Sequence, residues 1–143
     1  MNKKVPAPAW FKLVSVLALL WNLLGVASYF MYMMMTPEQL AQLPADRLTL
    51  IEATPDWVDM AYATAVFAGT IGSLFLLFGR GLAVLALMIS FAAILAQHAH
   101  TFILSRASEI ISDVEKGLAF AVIGIGLYMV VLSIQAKNKG WIG

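Results

Sequence analysis

The chain has 143 residues, of which 62% are hydrophobic and only 12% charged, with a formal net charge of +1. A water-soluble domain of this length leaves too much of its surface in water to hide so much apolar area, so that class is excluded. The absence of cysteine excludes disulfides, thiolate metal sites and cysteine catalysis. No basic run interleaved with aromatics offers a nucleic-acid surface.

Four stretches carry no Asp, Glu, Lys or Arg: Leu13–Thr36, Met60–Gly79, Gly81–Ser105 and Gly117–Ala136. Each is long enough to cross about 30 Å of hydrocarbon, which takes about 20 helical residues. None contains proline. The expected fold is an all-α membrane protein, a single antiparallel bundle of four transmembrane helices at about residues 10–35, 57–78, 82–105 and 115–136.

The first span follows lysines, as a signal peptide does, but its apolar run continues through Tyr29, Phe30 and MYMMM. That is longer than a secretory core, and the span reads as an uncleaved helix. Trp10 and Tyr32 suit its two interfaces. In the loop 36–56, Thr36 reads as an N-cap with Pro37 in the first helical position of a short surface helix ending near Pro44. ADRLTLIEA (Ala45–Ala53) is too apolar for a free loop and is expected on the membrane interface or over the bundle. Thr54 and Pro55 repeat the start signal for the second helix. Gly79–Gly81 is a tight turn, which makes helices two and three a hairpin. In the loop 106–114, Ser112 with Glu115 forms a capping box for helix four. KNKGWIG is a closing tail.

Charge sets the expected orientation. Lys3, Lys4, Lys12, Arg80, Lys137 and Lys139 fall on one side of the four spans. All the acidic residues fall on the other, joined only by Arg47, Arg106 and Lys116. Cations are retained inside during insertion, which makes both termini and the turn 79–81 cytoplasmic and the loops 36–56 and 106–114 external.

Small and polar residues are expected to face neighbouring helices, because lipid rewards neither close backbone contact nor unpaired polar groups. On helix one these are Ser15, Ala18, Asn22, Gly25 and Tyr29. On helix two they are Ala61, Ala65, Gly69 and Ser73, with Tyr62 alongside. Helix three contributes Ala83, Ala86, Ser90, Ala93, Gln97, His100 and Thr101, and helix four Gly117, Ala121, Gly124 and Tyr128. Asn22, Tyr29, Tyr62, Gln97, His100, Thr101 and Tyr128 are thus the candidate lining of a solute path, or interhelical polar contacts. His98 falls at the edge of the bulky face, where it reaches headgroups or water. Its replacement by leucine is expected to matter little, whereas replacing Gln97 loosens the fold.

LAQHAHTF (Leu95–Phe102) raises the question of metal or haem. Residues two apart on a helix lie about 200° apart, so His98 and His100 cannot share one ion without distortion. Haem held by two histidines requires a second copy of the chain. No cofactor is expected. A Cu(I) site from Met31, Met34, Met35 and His100 is a minor alternative, set against methionine as a filler of apolar contacts. Asp59, Glu109, Asp113 and Glu115 form no catalytic motif, and Asp59 and Glu115 suit the favourable dipole of first helical turns. The chain does not read as an enzyme. With no mid-membrane carboxylate or lysine, ion-coupled pumping has no carrier.

The runs WFKLVSVLALLWNLLGV (Trp10–Val26), MTPEQLAQLP (Met35–Pro44), ATPDWV (Ala53–Val58) and NKGWI (Asn138–Ile142) resemble a family of small bacterial four-helix inner-membrane proteins, often catalogued as sugar transporters. The resemblance covers most of the chain and supplies no active residues; QHAH lies outside it. It implies a multi-pass protein of the bacterial inner membrane that facilitates passage of a small neutral solute. Four helices enclose little room for a sugar-sized path, so a homo-oligomer is implied, in contact with the lipid bilayer. The alternative is a non-catalytic accessory or structural subunit of a larger membrane complex.

Overall fold

A computed structural model describes residues 5–143; the cations Lys3 and Lys4 lie outside the described residues. In chain order the elements are α1 (Ala9–Met33), α2 (Pro37–Ala41), α3 (Ala45–Glu52), α4 (Asp56–Leu77), α5 (Ala83–Ala99), a π-helical turn (His100–Leu104), α6 (Ala107–Ile110) and α7 (Asp113–Asn138). Four helices are long and apolar enough to cross a membrane: α1, α4, α5 with its π-helical extension, and α7. Large apolar side chains such as Leu13, Leu24, Phe78, Leu85 and Val131 remain exposed along them. The chain is thus suited to a hydrocarbon surround, as a multi-pass membrane protein requires.

Local chemistry sets the helix ends. Thr36 accepts from the Gln39 amide while the Gln39 carboxamide accepts from the Thr36 amide, a reciprocal cap that starts α2. Ser112 and Glu115 do the same for α7. Thr54 departs from its expected role as a cap. Its hydroxyl donates back to the Leu50 carbonyl at 2.8 Å, and Pro55 occupies the N-cap of α4. The last turn of α3 is within reach of that hydroxyl, and Asp56 and Asp59 in the first turn complement the dipole instead. The expected loop 36–56 is therefore largely helical.

Both α4 and α7 end in the same motif. Gly79 (φ +66) and Gly140 (φ +73) take the left-handed conformation that glycine allows. The amides after them, Arg80 and Trp141, reach back to the Phe75 and Ala136 carbonyls. The two ends then join: Gly143 donates to Gly79, Gly81 donates to Gly143, and Val5 donates to Gly140, at 3.0–3.1 Å. Phe11 and Ile142, 1% and 2% exposed, complete an apolar cluster with Leu76, Ala83 and Ala136. Trp141 packs edge-on to Trp10 and tilted against Phe11, with centroids 5.6 and 5.4 Å apart. We call this the closed end, and the opposite end, carrying α2, α3 and α6, the loop end.

α1 packs along α4, α4 along α5, and α5 along α7, whereas α1 and α7 do not pack along one another. Buried hydroxyls hold the seams. Ser73 donates to the Gly69 carbonyl, and Asn22 donates to Ala18 and to Ser73. Ser90 on α5 donates to the Ala65 carbonyl on α4 at 2.6 Å. Hydrocarbon can satisfy none of these groups, and among the described residues no buried side-chain polar atom is unpaired.

The inward face of α7 differs from the one expected. Its buried residues are Met129, Val130, Leu132, Ser133 and Ala136, with Gly126 against Phe91 and Ile94. Gly117 and Gly124 face open space, and Tyr128 is 51% exposed. Small residues occur on both sides of α7, so their presence alone selects neither. Tyr128 leaves the candidate lining.

Candidate functional site

Between α1 and α7, from mid-span to the loop end, lies a cleft of about 460 Å³. Phe11, Ala18, Leu87 and Met129 fill the bundle toward the closed end, and the cleft ends above them. Its depth is lined by Trp21, Leu24 and Gly25 of α1, Ala65 and Val66 of α4, Ile94 of α5, and Leu118, Ala119 and Val122 of α7. Asn22 is the one carboxamide at that level, and its Nδ2 is engaged by Ala18 and Ser73. The mouth is polar, with Ser28, Tyr62, Gln97, His98, Thr101 and Glu115.

Several groups at the mouth remain available. His98 Nδ1–H donates to the Ile94 carbonyl at 2.8 Å, which leaves Nε2 an acceptor in the neutral ring. Thr101 donates to the Gln97 carbonyl at 3.2 Å and Ser28 to the Leu24 carbonyl at 2.9 Å, each with a lone pair left over. Among the described residues the Gln97 carboxamide has no hydrogen-bond partner. Since no polar side-chain atom is both buried and unpaired, it stands open. The cleft can therefore accept and donate hydrogen bonds at its mouth and make apolar contacts below.

Glu115 forms the rim and is shared between two tasks. It closes the α7 cap with Ser112 and takes a two-pronged hydrogen bond from Arg47 of α3, with Nη1 to Oε1 at 2.7 Å and Nη2 to Oε2. The carboxylate raises the Arg47 pKa above its ordinary value. Both side chains are about one-third exposed, at 32% and 40%, so water screens the pair. Arg47→Ala is expected to lower stability by about 1 kcal/mol at most. It should release α3 selectively, read as faster limited proteolysis within residues 42–56 than in the rest of the chain.

Of the residues singled out from sequence, Asn22, Tyr62, Gln97 and Thr101 line this one cleft. Tyr29 stands behind it, edge-on to Tyr62 at 5.3 Å and near Phe67. Of the two histidines it is His98 that departs from its expected position. His98 lines the cleft, while His100 packs edge-on against Trp57 at 5.5 Å. The buried face of α5 includes Leu87 and Ile94 as well as Ala83, Ser90 and Ala93. His98 follows Ile94 by one turn and shares its side; His100 lies about 200° further round. A rule that admits only small and polar residues omits Leu87 and Ile94, and so displaces the centre of the face. Met31 and Met34 are 75% and 73% exposed and point away from the bundle. Among the described residues no three His, Asp or Glu side chains gather as a metal set.

Sequence reasoning missed Trp21, Ser28 and the Arg47–Glu115 pair. A signal existed for Trp21, since tryptophan favours the membrane interfaces and this one sits well inside a span. The π-turn, with the Ser105 amide donating to the His100 carbonyl at 2.9 Å, has no mark in the sequence.

No protein-family model matches the chain, and no curated protein or solved structure matches it either.

Proposed function

We propose that this is a carrier of small, neutral, hydrogen-bonding molecules in a bacterial inner membrane. Its four spans form an antiparallel bundle with both termini cytoplasmic and the loop end outside. Arg80, Lys137 and Lys139 near the closed end, and the acidic residues near the loop end, support that orientation. The resemblance of the WN, MTPE and TPDW runs to small four-helix inner-membrane proteins supports the location and the number of spans. The observation that carries the reading is the cleft: open hydrogen-bonding groups at its mouth, and a rim whose one charge is already paired with Arg47.

In this reading the conformation is outward-open, with Phe11, Trp141 and Ile142 closing the inner route. Passage requires that end to part, and no carboxylate or lysine within the charge-free spans offers to couple it to an ion. The outward face of α7, where a Cβ at Gly117 or Gly124 meets nothing, gives a second copy room for close backbone approach. The same face suits an accessory subunit that docks on a larger complex.

Flux of uncharged solutes into proteoliposomes tests the reading. Gln97→Leu and His98→Leu are each expected to reduce flux or binding by about tenfold, the loss of one hydrogen bond. Tyr128→Phe is expected to change neither. Absence of flux for every solute, with stable co-purification of a larger membrane complex, would select the accessory role instead.

A further inference from the structure

We infer that the ligand of the cleft is a neutral amphiphile, an uncharged hydroxyl- or carbonyl-bearing head on an aliphatic body, which enters sideways from the bilayer between α1 and α7. The inference rests on reading the cleft as a binding site, and adds the class of ligand and its route. Three features carry it. The first is the division of the lining. Hydrogen-bonding groups gather at the mouth, at Gln97, His98 and Thr101, whereas the depth is walled by Leu24, Ile94 and Val122. A hydroxyl carried to that depth would leave water for a wall on which the Asn22 carboxamide oxygen is the one side-chain acceptor, the amide nitrogen being already engaged. An aliphatic segment meets no such cost.

The second feature is where the cleft opens. Leu24 and Leu118 flank the gap between α1 and α7 and are 66% and 55% exposed. Leu24 lies well inside a charge-free span, where the surroundings are acyl chains rather than water, and Leu118 lies one turn after Glu115, at the outer edge of another. The third is the approach from the loop end. There Arg47 reaches from α3 to Glu115 at the rim and narrows the path from water. The volume, about 460 Å³, is that of a site for a compact ligand.

The test uses the wild-type protein in phosphatidylcholine vesicles with a monoacylglycerol carrying a photoreactive diazirine at mid-chain. Labelled residues are mapped by mass spectrometry. The expected result is saturable labelling of the peptides bearing Leu24, Ile94 and Val122, competed by unlabelled monoacylglycerol and not by glycerol. Ala119→Phe, which fills the cleft, should weaken that labelling by about tenfold while labelling of the outward Leu85 and Val131 stays constant. Val122→Phe serves the same purpose should Ala119→Phe fail to fold. Cleft labelling that rises without saturation and ignores both substitutions would mean surrounding lipid only, and would overturn the inference. Solute flux that is sensitive to Gln97→Leu, without saturable labelling, would also overturn it and leave the carrier reading standing. Loss of both would remove the binding site itself.

Discussion

Gly69→Ala is expected to destabilise the protein by about 1–3 kcal/mol, and Gly69→Leu to prevent the bundle from assembling. Gly69 is where three helices meet. A Cβ there would run into the Asn22 carboxamide of α1, with Cγ at 2.9 Å, and would lie 3.0 Å from Ser90 Oγ of α5. Neither neighbour moves freely. Asn22 is held by Ala18 and Ser73, and Ser90 by the Ala65 carbonyl. The added methyl must break buried hydrogen bonds or push helices apart, in surroundings that replace neither contact. Gly117→Ala and Gly124→Ala are the controls, because a Cβ there meets nothing. As isolated helix substitutions they should be neutral or stabilising by up to about 1 kcal/mol each. Thermal unfolding in one detergent would compare all four variants. Equal losses at Gly69 and Gly124 would contradict the assignment of inner and outer faces.

Phe11→Ala is expected to cost about 3–5 kcal/mol, the range for emptying an aromatic site in a packed core. Phe11 is 1% exposed and belongs to the same cluster as Leu76, Ala83, Ala136 and Ile142, with Trp141 packed against it. It therefore joins the start of α1, the α4–α5 turn and the segment after α7. The structural effect should be local to the closed end, with faster proteolysis after α7, while Tyr62 and Gln97 at the far end keep their places. If the closed end is the inner barrier, Phe11→Ala also raises the passive leak of uncharged solutes through proteoliposomes. Phe11→Leu, which keeps most of the volume, should recover most of the stability.

The sequence is most informative where a physical constraint acts locally. Charge-free runs locate four spans because hydrocarbon excludes every charge over a fixed thickness. Thr36 with Gln39 and Ser112 with Glu115 mark helix starts because a cap needs only its own turn. The site is harder to read, because periodicity shows which residues share a face and not which helix that face meets. On α5 the buried face mixes Leu87 and Ile94 with Ala83 and Ser90, and the rule that small residues turn inward sends His98 away from the cleft it lines. On α7 Gly126 and Ser133 turn inward while Gly117 and Gly124 turn out, and nothing in their spacing separates the two sets. The Arg47–Glu115 pair spans 68 positions, beyond any local pattern. The cleft itself arises from a contact that is absent, the one between α1 and α7 above Ala18, and an absent contact leaves no motif.

The most direct measurement exploits the lack of native cysteine. Ser28→Cys, Thr101→Cys and Lys139→Cys would be treated in intact spheroplasts with a small membrane-impermeant methanethiosulfonate reagent, then again after the inner face is exposed. The expected result is modification of Ser28→Cys and Thr101→Cys from outside, and of Lys139→Cys only once the inner face is open. Modification of all three from one side, or silence of both cleft positions from either side, would contradict a four-span bundle with its polar cleft facing outward.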